Sequence, residues 1–70
     1  AGDMAGAAAH LQRLADLEPL DLTAQRDLIA LMLERGRHAE AFRRYELVRH
    51  RYRRAFGEEP GFSLADVAAG

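Results

Sequence analysis

The 70-residue chain contains no cysteine, and this absence removes disulfides, cysteine-based zinc sites and thiol nucleophiles in one step. It also contains no lysine, so all ten of its basic residues are arginine, a bias that fits a GC-rich bacterial genome. Tryptophan is absent and proline occurs only at 19 and 60, so there is little to interrupt long elements. Ten basic residues against eleven acidic ones leave a net charge of −1, and neither nucleic acid nor a membrane surface is called for by bulk electrostatics. No apolar run reaches the roughly 18–20 residues that span a bilayer. The small apolar stretch at residues 1–9 lacks the basic flank of a signal peptide, which points to a soluble, cytoplasmic protein. The length allows one small domain, whose core alone rarely supplies more than about 3–5 kcal/mol.

What is present is helical. Met4, Ala7, Leu11, Leu14 and Ala15 recur at spacings of three and four, predicting a first helix over about Met4 to Leu17, which Pro19 ends. Asp21 is placed to cap a second helix running to about Arg35, and Gly36 is placed to close it. A third helix is predicted from about His38 to Phe56, stopped by Gly57. After the turn at Glu58–Gly61, Ser63 is placed to cap a short fourth helix from Leu64.

The second helix is apolar over more than half its circumference, through Leu22, Leu28, Ile29, Leu31, Met32 and Leu33, and so needs neighbours on both sides. The third has one stripe, Ala41, Phe42, Tyr45, Val48, Tyr52, Ala55 and Phe56, opposite Arg43, Arg44, His50, Arg51 and Arg54. The expected fold is all-α: antiparallel helical hairpins with the second helix between the first and third, three long helices plus a short C-terminal one. Its expected core is Leu11, Leu14, Leu28, Met32, Ala41, Phe42, Tyr45, Val48 and Tyr52. His10 is expected to border that core. Apolar surface without a partner within the chain is expected on the first helix or around Phe62, Leu64 and Val67, favouring self-association.

Sliding the chain along itself at the 34-residue period of tetratricopeptide repeats sets Gly2 on Gly36, Ala5 on Ala39, Ala7 on Ala41, Leu11 on Tyr45 and Leu14 on Val48. Residues 1–70 then form a single tetratricopeptide-like helical domain that is a piece of a longer repeat region, beginning at the second helix of one repeat.

The ordered segments Gly2-Asp3-Met4-Ala5-Gly6-Ala7, Leu17-Glu18-Pro19-Leu20-Asp21, Arg35-Gly36-Arg37-His38-Ala39-Glu40-Ala41, Tyr45 and Phe56-Gly57-Glu58-Glu59-Pro60 carry a more specific likeness. Together they resemble the bacterial transcriptional activator domain of regulators of the Streptomyces antibiotic regulatory protein type. The resemblance implies tetratricopeptide-like helices that follow a winged-helix DNA-binding domain and activate transcription through oligomerisation or contact with the transcription machinery. DNA reading would then belong to a separate domain outside these residues. After Pro60 the chain departs from the family's usual Ser-Pro-Glu-like segment, reading Gly61-Phe62-Ser63-Leu64 instead.

Little here suggests catalysis. His10, His38 and His50 have no partner at metal-ligand spacing, and the only hydroxyl side chains besides the tyrosines, Thr23 and Ser63, sit at helix starts. Gly57 and Gly61 flank a Glu-Glu-Pro segment that would repel phosphate. No enzyme activity, no cofactor and no metal are expected. The one strong charge feature is the back of the third helix, where Arg43, Arg44, Arg51 and Arg54 surround Leu47 with His50 at the border. As a solvated face it would only keep the domain soluble; as a site it would be an apolar anchor inside an arginine rim, suited to a protein partner, with nucleic-acid contact as the third reading. The functional expectation is a non-catalytic protein-interaction or oligomerisation module of a transcription regulator. A tetratricopeptide-type peptide-binding adaptor unrelated to transcription is the second reading, and a nucleic-acid-binding helical hairpin the third.

Overall fold

Four helices, α1 (Asp3–Leu17), α2 (Leu22–Glu34), α3 (His38–Phe56) and α4 (Leu64–Ala69), follow one another with no strand among the described residues. The computed structural model describes the backbone from Asp3 to Ala69 and the side chains of residues 8–69. The positions Met4 and Ala7 of the first helical face, and the repeat matches at Gly2 and Ala5, lie outside the described side chains and residues.

Local chemistry sets each boundary. Asp21, in an extended conformation, accepts a hydrogen bond from the Ala24 N–H at 3.2 Å and so begins α2. At the other end Gly36 has φ +74°, its N–H donates to Leu33 O and the Arg37 N–H to Met32 O. This paired closure needs the left-handed conformation that glycine adopts without a Cβ penalty. Gly57, φ +72°, ends α3 in the same region, with Arg53 and Arg54 in the last turn complementing the helix dipole. Ser63 and Asp66 form a reciprocal cap. The Asp66 N–H donates to Ser63 Oγ at 3.1 Å and the Ser63 N–H to Asp66 Oδ2 at 2.9 Å, and these bonds hold the Asp66 carboxyl below its ordinary value.

α2 is the centre of the stack, packing against α1, α3 and α4. Ile29, Ala41, Phe62 and Val67 form the buried cluster, with Leu22, Met32, Leu33, Tyr45 and Leu64 packed around it. Ala15, Ala24, Leu28 and Val48 are also buried. The connection after α3 lies back along that helix. Arg49 donates to Glu59 twice, Nε to Oε2 at 3.0 Å and Nη2 to Oε1 at 3.2 Å, and Arg53 adds an ion pair at 3.7 Å. The Arg49 bonds hold the Glu59 carboxyl below its ordinary range and raise the Arg49 guanidinium in turn. The turn so tethered seats Phe62 against Tyr45, ring to edge with centroids 5.6 Å apart, while the Tyr45 hydroxyl donates to Phe62 O at 3.1 Å.

Several expectations change here. Phe62 and Val67 are core residues and not open surface, because α4 folds onto α2. Phe42 is 54% exposed and Leu14 39% exposed, so neither belongs to the core. Phe56 and Ala55 are exposed as well, since the end of α3 runs past the α1–α2 turn. His10 is exposed. At the 34-residue offset the start of α2 falls on Phe56, the last residue of α3, whereas α4 begins only at Leu64. The repeat spacing therefore pairs α1 with α3 but does not extend to α2 and α4.

Candidate interaction site

α3 is longer than α2, and the turn joining α1 to α2 stands beside the middle of α3. Leu47, His50, Arg51 and Arg54 lie at i, i+3, i+4 and i+7, which places them along one face. Pro19 and Leu20 from the turn face them. Together with Ala55 these residues line an open groove of about 580 Å³. Its lining is aliphatic on both sides, through Pro19 and Leu20 (41% exposed) from the turn and Leu47 (39% exposed) and Ala55 from α3.

The turn is held in place by one residue that sequence reasoning overlooked. In α1 the carbonyl of Ala15 would accept from the N–H four residues on, but that residue is Pro19, which has none. Gln25 of α2 supplies the missing donor. Its Nε2 donates to Ala15 O at 2.9 Å and to Pro19 O at 3.2 Å, and its side chain is the largest fully buried polar one, with the residue 1% exposed. Its Oε1 in turn accepts from Arg44 Nε at 2.8 Å, and Arg44 Nη1 and Nη2 each reach Asp16 Oδ1 at 3.3 Å. Three helices and the turn are thereby joined through one amide. Every buried polar side-chain atom among the described residues has a partner.

The network corrects the expected arginine face. Arg44, with its side chain only 11% exposed, turns inward to α1 and α2 and is not part of the rim. Arg43 is exposed on the same side as Leu47 but does not line the groove. Leu47, His50, Arg51 and Arg54 are brought together as the spacing implied. Pro19, Leu20 and Ala55 were missed; an apolar residue directly after the proline of a turn was the available signal.

Charge separates this groove from its neighbour. A recess on the other flank, lined by Glu46, Arg49, His50, Arg53 and Arg54, carries its own counter-ions, because Arg49 is paired with Glu46 and Glu59, and Arg53 with Glu59. Arg51 and Arg54 on the groove rim have no carboxylate within ion-pair distance among the described residues. The groove thus joins an exposed aliphatic lining to positive charge unpaired among the described residues, while no helix among them is long and apolar enough to cross a membrane. No serine, threonine or cysteine is among the residues that line the groove.

Comparison with known proteins adds the family. Neither a curated protein nor a solved structure matches the chain. The family model described as the bacterial transcriptional activator domain matches residues 1–69, nearly the whole chain. With the all-helical fold built on the Gly36 and Pro19 landmarks that carried the resemblance, the chain belongs to the bacterial transcriptional activator domain family, a family of transcription-regulator domains.

Proposed function

We propose that this domain is a non-catalytic protein-interaction module of a cytoplasmic transcription regulator, tetratricopeptide-like in build, with DNA read by a separate domain. The observation that supports it best is the groove beside α3, which exposed Leu20 and Leu47 line together with the unpaired Arg51 and Arg54. Aliphatic anchors within an arginine rim match the composition of protein interfaces. Arg43 and His50 extend the same surface, whereas Arg44 serves the turn network and contributes only indirectly.

A pair of assays tests the reading: capture of partners from a bacterial lysate by the purified chain and by Leu47→Asp, beside a salt titration of the chain against duplex DNA. A protein partner retained by the wild type and lost by Leu47→Asp, with helix content unchanged, is the expected result. DNA binding by this domain alone, with affinity falling at a log–log slope near −0.9 per phosphate contact, would overturn it.

A further inference from the structure

We infer that the groove takes an acidic amphipathic segment of a partner protein, one whose aliphatic residues recur at helical spacing with carboxylates flanking them. The inference rests on the interaction reading above and adds the chemical class of the partner. Leu20 and Leu47 stand exposed on the two sides of the groove, so an inserted aliphatic side chain would touch both walls. The rim on the α3 side is cationic over one turn, through Arg51 and Arg54, and these two guanidinium groups have no carboxylate within ion-pair distance among the described residues. Apolar anchors lying in a groove with charges meeting at the rim is the helix-in-groove mode of recognition.

A second copy of the chain fits less well. Across a two-fold axis the same patch would meet itself, setting the unpaired rim arginines of the two copies against one another. No carboxylate is among the residues that line the groove to balance them. Duplex DNA fits less well still, because the apolar residues lining the groove, Pro19, Leu20, Leu47 and Ala55, offer phosphates no partner.

The test is to pan a displayed library of randomised 16-residue peptides against the purified chain. Selected peptides are expected to carry Asp or Glu beside Leu, Ile or Val at spacings of three and four. Their affinity should fall at least tenfold for Arg51→Glu/Arg54→Glu and for Leu47→Asp, with circular dichroism showing both variants folded. Charge-swapped lysine versions of the selected peptides should bind the double-glutamate variant better than the wild type. Selection of peptides without acidic bias, equal binding to the variants, or no enrichment would overturn the proposal. So would sedimentation showing a wild-type dimer that Leu47→Asp makes monomeric, since the groove would then hold a second copy. If the library shows no acidic preference while Leu47→Asp still loses its partner from lysate, the partner class is wrong and the interaction reading survives.

Discussion

Replacing Gln25 with leucine should destabilise the domain far more than the loss of one exposed polar group would. The new side chain is close in size, so the change is chiefly in hydrogen bonding. The buried Ala15 carbonyl would lose its side-chain donor and cannot recover one from Pro19. An orphaned buried carbonyl costs about 1–3 kcal/mol. Arg44 would lose the Gln25 acceptor but keep Asp16, so its loss is smaller, about 0.5–1.5 kcal/mol. Relief from burying the Gln25 amide offsets part of this, leaving an expected net loss of about 2–3 kcal/mol. A chain of this length holds about 3.5–10 kcal/mol in total. The melting temperature should therefore fall by about 10–20 °C. Urea titration followed by circular dichroism gives the free energy directly. Arg44→Met in the same background completes a double-mutant cycle, in which a positive coupling of about 0.5–3 kcal/mol is expected. A loss below about 0.5 kcal/mol for Gln25→Leu, or zero coupling to Arg44, would refute the role of this amide.

Tyr45→Phe should cost about 0.5–1.5 kcal/mol through the lost bond to Phe62 O, and it should also change the alkaline limb of stability. Burial raises the Tyr45 pKa above its ordinary 10.0, so its contribution is complete below pH 10 and is lost as pH rises from there through the folded value. Denaturation free energies of wild type and Tyr45→Phe should thus converge at high pH, and a constant difference would contradict this origin. Gly36→Ala meets no atom within 4 Å, yet the left-handed conformation should make it about 1 kcal/mol less stable; an unchanged thermal melt would mean that the α2 closure is dispensable. Glu59 should titrate below its ordinary 4.5 in an NMR experiment, so its link to Arg49 is present above that pH and is lost as pH falls through the folded value. Arg49→Gln should return it to the ordinary range, and a titration unmoved by that change would locate the cause elsewhere.

The helix boundaries were legible because the residues that set them act locally. Asp21 caps, Gly36 and Gly57 close, and Pro19 interrupts, each through its own backbone or side chain. The all-α stack with α2 in the middle was legible from the breadth of its apolar arc. The edges of the α3 stripe were not. Phe42 lies about 100° round the helix from Ala41 and Arg44 about 60° to the other side. Hydropathy alone puts the phenylalanine inside and the arginine outside. The structure inverts this, since Asp16 and Gln25 stand on the Arg44 edge to receive a guanidinium, while Phe62 from the turn fills the space over Tyr45. Both outcomes depend on partners distant in sequence. For the same reason the groove was half legible. Its α3 wall follows from i, i+3, i+4 spacing, whereas its other wall, Pro19 and Leu20, depends on how Gln25 pins the turn.

The central claim, that the groove beside α3 serves protein contact in transcription regulation, is tested most directly in the regulator that carries the domain. Leu47→Asp should be compared with wild type for promoter occupancy and for reporter transcription at the same protein level. Unchanged occupancy with transcription reduced at least tenfold is the result the account predicts, since a ΔΔG of about 1.4 kcal/mol at one interface residue already gives a factor of ten. Loss of occupancy in parallel with transcription, or full transcription with Leu47 replaced by aspartate, would contradict it.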